Sequence, residues 1–137
     1  MKKEWKILVV DDDEDFIEII RLSLLNRGYQ VTSAQNAKEG WKMLEKEKPD
    51  LVILDLMMEA MDAGMRLSQR MKSHPEYQKI PILMLTSITR ATGLDFSPRT
   101  EEEKGEMHVD DFCTKPIKMK VLMEKLERLL SQASAKE

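Results

Sequence analysis

Three short apolar runs, each closed by a residue able to carry or contact charge, constrain this chain more than any other feature. Ile7-Leu8-Val9-Val10 runs into Asp11-Asp12, Leu51-Val52-Ile53-Leu54 into Asp55, and Ile82-Leu83-Met84-Leu85 into Thr86. Unbroken apolar runs of this length read as strands covered on both faces, which is how parallel sheets are buried. In an open parallel α/β sheet the carboxyl ends of the strands line one edge, where such folds place their ligand sites. A further strand-like run, 109–114, leads into Lys115-Pro116 and so belongs to the same edge. Three carboxylates held within a few ångströms repel one another and raise each other's pKa unless a cation sits among them. The cluster is therefore hard to explain as scaffold, and it points to a bound cation.

Helical spacing fills the intervals between the runs. Asp13-Glu14-Asp15 places acids in a first turn, where they suit the helix dipole, and Phe16, Ile19, Ile20 and Leu24 recur on one face until Gly28 supplies the stop. Residues 29–34 alternate as a strand does. Asn36 with Glu39 resembles a capping box, opening a helix through Trp41 and Leu44 that closes before Pro49. Residues 65–73 read as a helix, 82–85 as a strand introduced by Pro81, and 118–131 as a helix with Met119, Leu122, Leu126, Leu129 and Leu130 on one side, followed by a polar tail that frays. Strands alternating with helices argue for a parallel sheet with helices on both faces.

The bulk numbers exclude several classes. With 137 residues and 42% apolar composition the chain suffices for one domain, with a core over about residues 5–131. A formal net charge of −3, with the basic residues scattered, creates no field that attracts a polyanion, so nucleic acid is not an expected partner. The only cysteine, Cys113, cannot form an internal disulfide and reads as a small core residue. Only four apolar residues follow Lys6, too few for a signal peptide, and no run approaches the length of a membrane span. A soluble, cytoplasmic protein is expected, with no membrane association.

Taken together, Asp11-Asp12, Leu54-Asp55-Leu56-Met57-Met58, Thr86 and Phe112-Cys113-Thr114-Lys115-Pro116, in this order and spacing, make the chain resemble the response-regulator receiver domain of bacterial two-component signalling. The resemblance spans nearly the whole chain. It implies a single three-layer α/β domain whose five parallel strands take the flavodoxin-like order 2-1-3-4-5. It also implies that Asp55 accepts the phosphoryl group and that Mg²⁺ is held by Asp12 directly, by Asp11 largely through water, by Asp55 and by the backbone carbonyl of Met57. Lys115, brought in by a cis bond to Pro116, and Thr86 would contact the phosphoryl group, and Phe112 would be an aromatic switch that follows Thr86. Charge counting agrees without the family: three carboxylates, one divalent ion and one lysine sum to zero. The implied donors are a histidine kinase or a histidine phosphotransfer protein, and the output is a contact with an unidentified downstream protein by a stand-alone monomer or weak dimer. Such a domain is no enzyme beyond phosphorylating and dephosphorylating itself.

Two stretches depart from the family pattern. A proline usual soon after the acceptor is replaced by Glu59, and Ala63 is one residue extra before Gly64, so the loop over the site takes a different path. The 28 residues between Thr86 and Lys115 are rich in Thr, Gly, Pro and Glu, with a possible short helix from Thr100. An altered or partly disordered helix after the fourth strand, with a mobile stretch over about 90–105, is the expectation. Apolar Met57 and Ile88 flank the site and leave few groups to orient an attacking water, which predicts slow loss of phosphate. The methionines 57, 58, 61 and 65 read as adaptable packing rather than a cofactor box. Two rival readings remain open on sequence: a pseudo-receiver that binds partners without phosphorylation, and a Mg²⁺-dependent aspartyl-phosphate phosphohydrolase of the haloacid-dehalogenase kind. The second wants an acid two residues after the nucleophile, where this chain has Met57.

Overall fold

The apolar runs become neighbouring parallel strands, and the polar residues that close them meet at one edge. The computed structural model describes residues 4–56, 58, 63–89, 94–95 and 109–135. In chain order the elements are β1 (Lys6–Val10), α1 (Glu14–Asn26), β2 (Gln30–Ala34), α2 (Ala37–Glu47), β3 (Leu51–Asp55), α3 (Ala63–Lys72), β4 (Ile82–Thr89), β5 (Leu94–Asp95), β6 (Asp111–Lys115) and α4 (Met119–Ala135). The five parallel strands lie in the order β2-β1-β3-β4-β6, the expected 2-1-3-4-5 arrangement, and the two-residue β5 adds antiparallel to the end of β4.

Period-two geometry divides each central strand between two cores. Ile7, Val9, Ile53, Leu83 and Leu85 pack with Ile17, Ile20 and Leu24 of α1 and Leu122 and Leu126 of α4. Leu8, Val10, Val52, Leu54 and Met84 face the other way, toward Trp41 and Leu44 of α2 and Leu67 and Met71 of α3. Burial on both sides is why β1 and β3 carry no polar residue between Ile7 and Val10 or between Leu51 and Leu54. Cys113 lies in the first core as expected, and burial pushes its thiol pKa up, so it is a poor source of thiolate. Met58 and Met65 pack against the second core, as adaptable side chains do.

Helix starts follow the sequence signals closely. The Asp13 side chain accepts from the backbone N–H of Asp15 at 3.0 Å and of Phe16 at 3.2 Å, capping α1. Asn36 Oδ1 accepts from Glu39 N–H at 2.8 Å, while the Glu39 carboxylate receives the N–H of Gln35 rather than that of Asn36. Replacing Asn36 with Ala leaves one donor of the first turn without its partner. Asn36→Ala is expected to cost about 1 kcal/mol in urea unfolding, with β1 and the acid cluster undisturbed.

Several boundaries differ from the sequence reading. β4 continues to Thr89 instead of ending at Leu85, because β6 and β5 supply backbone partners beyond the apolar run. β6 starts at Asp111, two residues later than the pattern suggested. α4 runs on to Ala135, since Gln132 and Ala133 favour helix and no glycine or proline interrupts it. α3 starts at Ala63, two residues early, pinned by a hydrogen bond from Gly64 N–H to the Leu56 carbonyl at 2.9 Å. Of the stretch expected to be mobile, residues 94–95 form β5; the rest, the possible helix at Thr100 and the altered loop at 59–62 lie outside the described residues. Among the described residues no helix is long and apolar enough to cross a membrane.

Candidate functional site

Strand register decides which polar residues meet. Val10 is level with Leu54, and Asp55 with Leu85, so Asp11 leaves β1 beside the end of β3, and Thr86 stands one step further along β4. Ser87 is level with Lys115, which brings the lysine of β6 to the same edge. Asp11, Asp12 and Asp55 each offer a carboxylate oxygen within 4.8 Å of the others. Asp11 is fully buried and Asp55 only 7% exposed, whereas Asp12 faces solvent. Lys115 Nζ lies 3.1 Å from Asp11 Oδ2 and 3.6 Å from Asp55 Oδ2. The bond from Lys115 to Pro116 is cis.

Neighbours fix these groups in place. The Asp13 N–H donates to Asp11 Oδ1 at 3.0 Å, so the residue that caps α1 also orients the buried acid. Lys115 Nζ sits 4.7 Å from the centre of the Phe16 ring, a cation–π contact that holds the ammonium from the α1 side. Sequence pattern marked Phe16 only as part of an apolar face. Gly64 was equally unmarked as a site residue: a Cβ there would overlap the Asp55 carbonyl oxygen and stand 2.8 Å from Leu56 Cα. Its place in the glycine-ended pattern after the acceptor was the available signal.

Burial pushes the Asp11 carboxyl above the ordinary aspartate range, and Asp12 adds to the rise, while the Asp13 N–H and the Lys115 ammonium pull it back. A raised native pKa means that the folded chain binds this proton more tightly than the unfolded chain does. Its contribution therefore favours folding below the unfolded pKa and is lost as pH rises through the native one. Asp11→Asn removes the titration. In urea unfolding without divalent ions, the variant is expected to gain stability relative to the parent as pH rises from the ordinary aspartate value through the raised native one. A difference that stays constant across this range would contradict the assignment.

Phe112 is separated from the acids. It pairs with Met84, two steps before Thr86 on β4, and its half-buried ring packs on the second core. Lys125 of α4 donates to the Phe112 carbonyl at 2.6 Å and stands 4.8 Å from the ring centre. Buried Asp111 accepts from the Phe112 N–H at 2.8 Å and pairs with both Lys125 and Arg128. Thr86 is buried within β4, level with Thr114 of β6. Met57, whose carbonyl was expected among the metal ligands, lies outside the described residues, as does Met61.

Buried and exposed carboxylates from two strand ends, one lysine and a parallel sheet of this order are the architecture of phosphoryl signalling domains, and the family model for the response regulator receiver domain matches residues 7–127. This chain belongs to that family. The receiver is 32% identical over 134 residues to the alkaline phosphatase synthesis transcriptional regulatory protein PhoP of Bacillus subtilis, covering 93% of this chain and 49% of PhoP. It thus spans about half the length of PhoP, and half or less of several other curated relatives. A 14.6 kDa protein of Leptolyngbya boryana is 36% identical over 114 residues, with 83% of this chain and 81% of that protein covered. Among solved structures, the chemotaxis response regulator CheY4 of Vibrio cholerae matches with a TM-score of 0.77 at 25% identity, covering 93% of this chain and 99% of that one.

Receiver domains bind Mg²⁺ through acidic residues, and the donors here fit that ion. They are hard carboxylate oxygens, one set buried and one open to solvent, which suits a cation that keeps several waters. Without it the three acids crowd around Lys115, which pairs with two of them.

Proposed function

We propose that this receiver accepts a phosphoryl group on Asp55 from a histidine kinase or histidine phosphotransfer protein and signals through contacts with other proteins as a stand-alone, cytoplasmic monomer or weak dimer. One observation carries the reading: Lys115 Nζ bridges Asp11 and Asp55 at 3.1 and 3.6 Å, with the exposed Asp12 oxygen completing the cluster.

Asp55 attacks the phosphorus of the donor through a carboxylate oxygen. The new bond joins that oxygen to phosphorus while the bond from phosphorus to the donor's imidazole nitrogen breaks, and its electron pair stays on the imidazole. Asp12, Asp55, Asp11 through water and the Met57 carbonyl are the groups assigned to Mg²⁺. When bound, the ion neutralises and aligns the phosphoryl oxygens, which a weak carboxylate nucleophile requires. Lys115 exchanges its pairing with Asp55 for a phosphoryl oxygen while keeping Asp11. Thr86, on β4 one step beyond the residue level with Asp55, donates its hydroxyl to another phosphoryl oxygen. Lys125 and Asp111 hold Phe112 by backbone and ring, which ties the residue assigned as the aromatic switch to α4. Methionine stands at position 57, where a phosphohydrolase of the haloacid-dehalogenase kind wants an acid, which favours a phosphoacceptor over a phosphohydrolase.

Incubation of the protein with acetyl phosphate, followed by intact mass, tests this. A gain of one phosphoryl group that requires Mg²⁺ is expected; no gain with the ion present would overturn the reading.

A further inference from the structure

Away from the acids, a groove of about 560 Å³ runs between α2 and α3. Four cations line it, Lys38 and Lys42 from α2 and Arg66 and Arg70 from α3, with Glu45 the one acid among the described lining residues. All four are exposed, in a chain whose formal net charge is −3. Each pair is spaced four residues apart on its helix, so each side of the groove carries two positive charges about 6 Å apart along the axis. The helices follow parallel strands on the same sheet face, and the two rows run side by side.

Arg70 is the fixed point of this surface. Its guanidinium carbon lies 3.7 Å from the centre of the Trp41 ring. Trp41 is itself held edge-on by Tyr77 at 5.4 Å and by His74 at 5.8 Å between ring centres. A guanidinium held over a buried ring loses little freedom when it binds, and its planar N–H fork matches a carboxylate bidentately. Lys38 and Lys42 form no ion pair among the described residues.

The geometry points to this groove as a docking site for an extended acidic segment of a partner protein, with carboxylates on alternate residues. Side chains two apart on an extended strand repeat every ~6.6 Å, close to the ~6 Å repeat of the cations on each helix. The charge patch is short and the rest of the chain is acidic, which favours a few carboxylates over a nucleic-acid backbone, whose binding needs a basic field of greater reach. None of these residues belongs to the acid cluster, so this inference stands or falls apart from phosphorylation at Asp55.

An octapeptide alternating Glu and Ala, titrated into ¹⁵N-labelled protein at low salt, tests it by backbone amide and tryptophan indole shifts. Saturable shifts confined to α2, α3 and Trp41 are expected, at least about tenfold weaker in Lys42→Glu/Arg70→Glu and in Lys38→Gln/Lys42→Gln, which leaves the Arg70 stack intact. Phosphorylation by acetyl phosphate is expected to be unchanged in both variants, showing that they fold. Absent or scattered shifts at millimolar peptide, shifts equal in parent and variants, or tighter binding of an eight-nucleotide oligothymidine would each overturn the proposal.

Discussion

Asp55→Asn is expected to abolish phosphorylation by acetyl phosphate and, without divalent ions, to raise the stability of the fold by about 1 kcal/mol. The two effects share a cause. Three carboxylates with oxygens within 4.8 Å of one another crowd around Lys115, so without an ion they repel one another in a largely buried place. The asparagine keeps the size and one acceptor of the aspartate while removing a charge and the nucleophile. Lys115 retains Asp11 at 3.1 Å, so the lysine is not stranded by the change. Intact mass and urea unfolding read the two outcomes. A variant that still gains a phosphoryl group would place the acceptor elsewhere, and one that loses stability would show that Asp55 serves the scaffold.

Gly64→Ala is expected to be the most damaging single-methyl change near the site, costing about 3 kcal/mol in urea unfolding and slowing phosphorylation. A Cβ at this position meets backbone and not a movable side chain: the Asp55 carbonyl oxygen, and Leu56 Cα at 2.8 Å. The strand end and the helix start touch there, tied by the hydrogen bond from Gly64 N–H to Leu56 O. Relief requires α3 to back away or the end of β3 to shift, and the latter displaces the acceptor. Gly40 is the useful contrast, because a Cβ there meets the methyl groups of Val10 at 3.2 Å and Leu67 at 3.3 Å, which can yield by a few tenths of an ångström. Gly40→Ala is expected to cost clearly less than Gly64→Ala. Equal losses would contradict this reading of the β3–α3 contact.

Much of this was legible in the sequence where the signal was local. The unbroken runs 7–10 and 51–54 disclosed doubly buried strands, and Asp13 and Asn36 disclosed their helix starts, because each depends only on nearby residues. The acids were legible as a cluster because parallel strands end at one edge whatever their order. What escaped depends on distant partners. The extension of β4 to Thr89 needs β5 and β6 beside it, and neither is marked by the residues 86–89 themselves. Phe16 looked like one more apolar residue until Lys115 was brought over its ring from ninety-nine positions away along the chain. Likewise Asp111 read as part of a strand, although Lys125 and Arg128 of α4 turn it into the anchor of Phe112.

A Mg²⁺ titration followed by calorimetry and thermal unfolding addresses the acid cluster most directly. The parent protein is expected to bind one ion and to unfold at higher temperature as the ion is added, because a ligand that binds only the folded chain stabilises it by mass action. Asp12→Asn is expected to lose most of this response while folding normally, since Asp12 is exposed. No measurable Mg²⁺ affinity in the parent, or an Asp12→Asn variant that responds as the parent does, would contradict a cation site built from these three strand-end carboxylates.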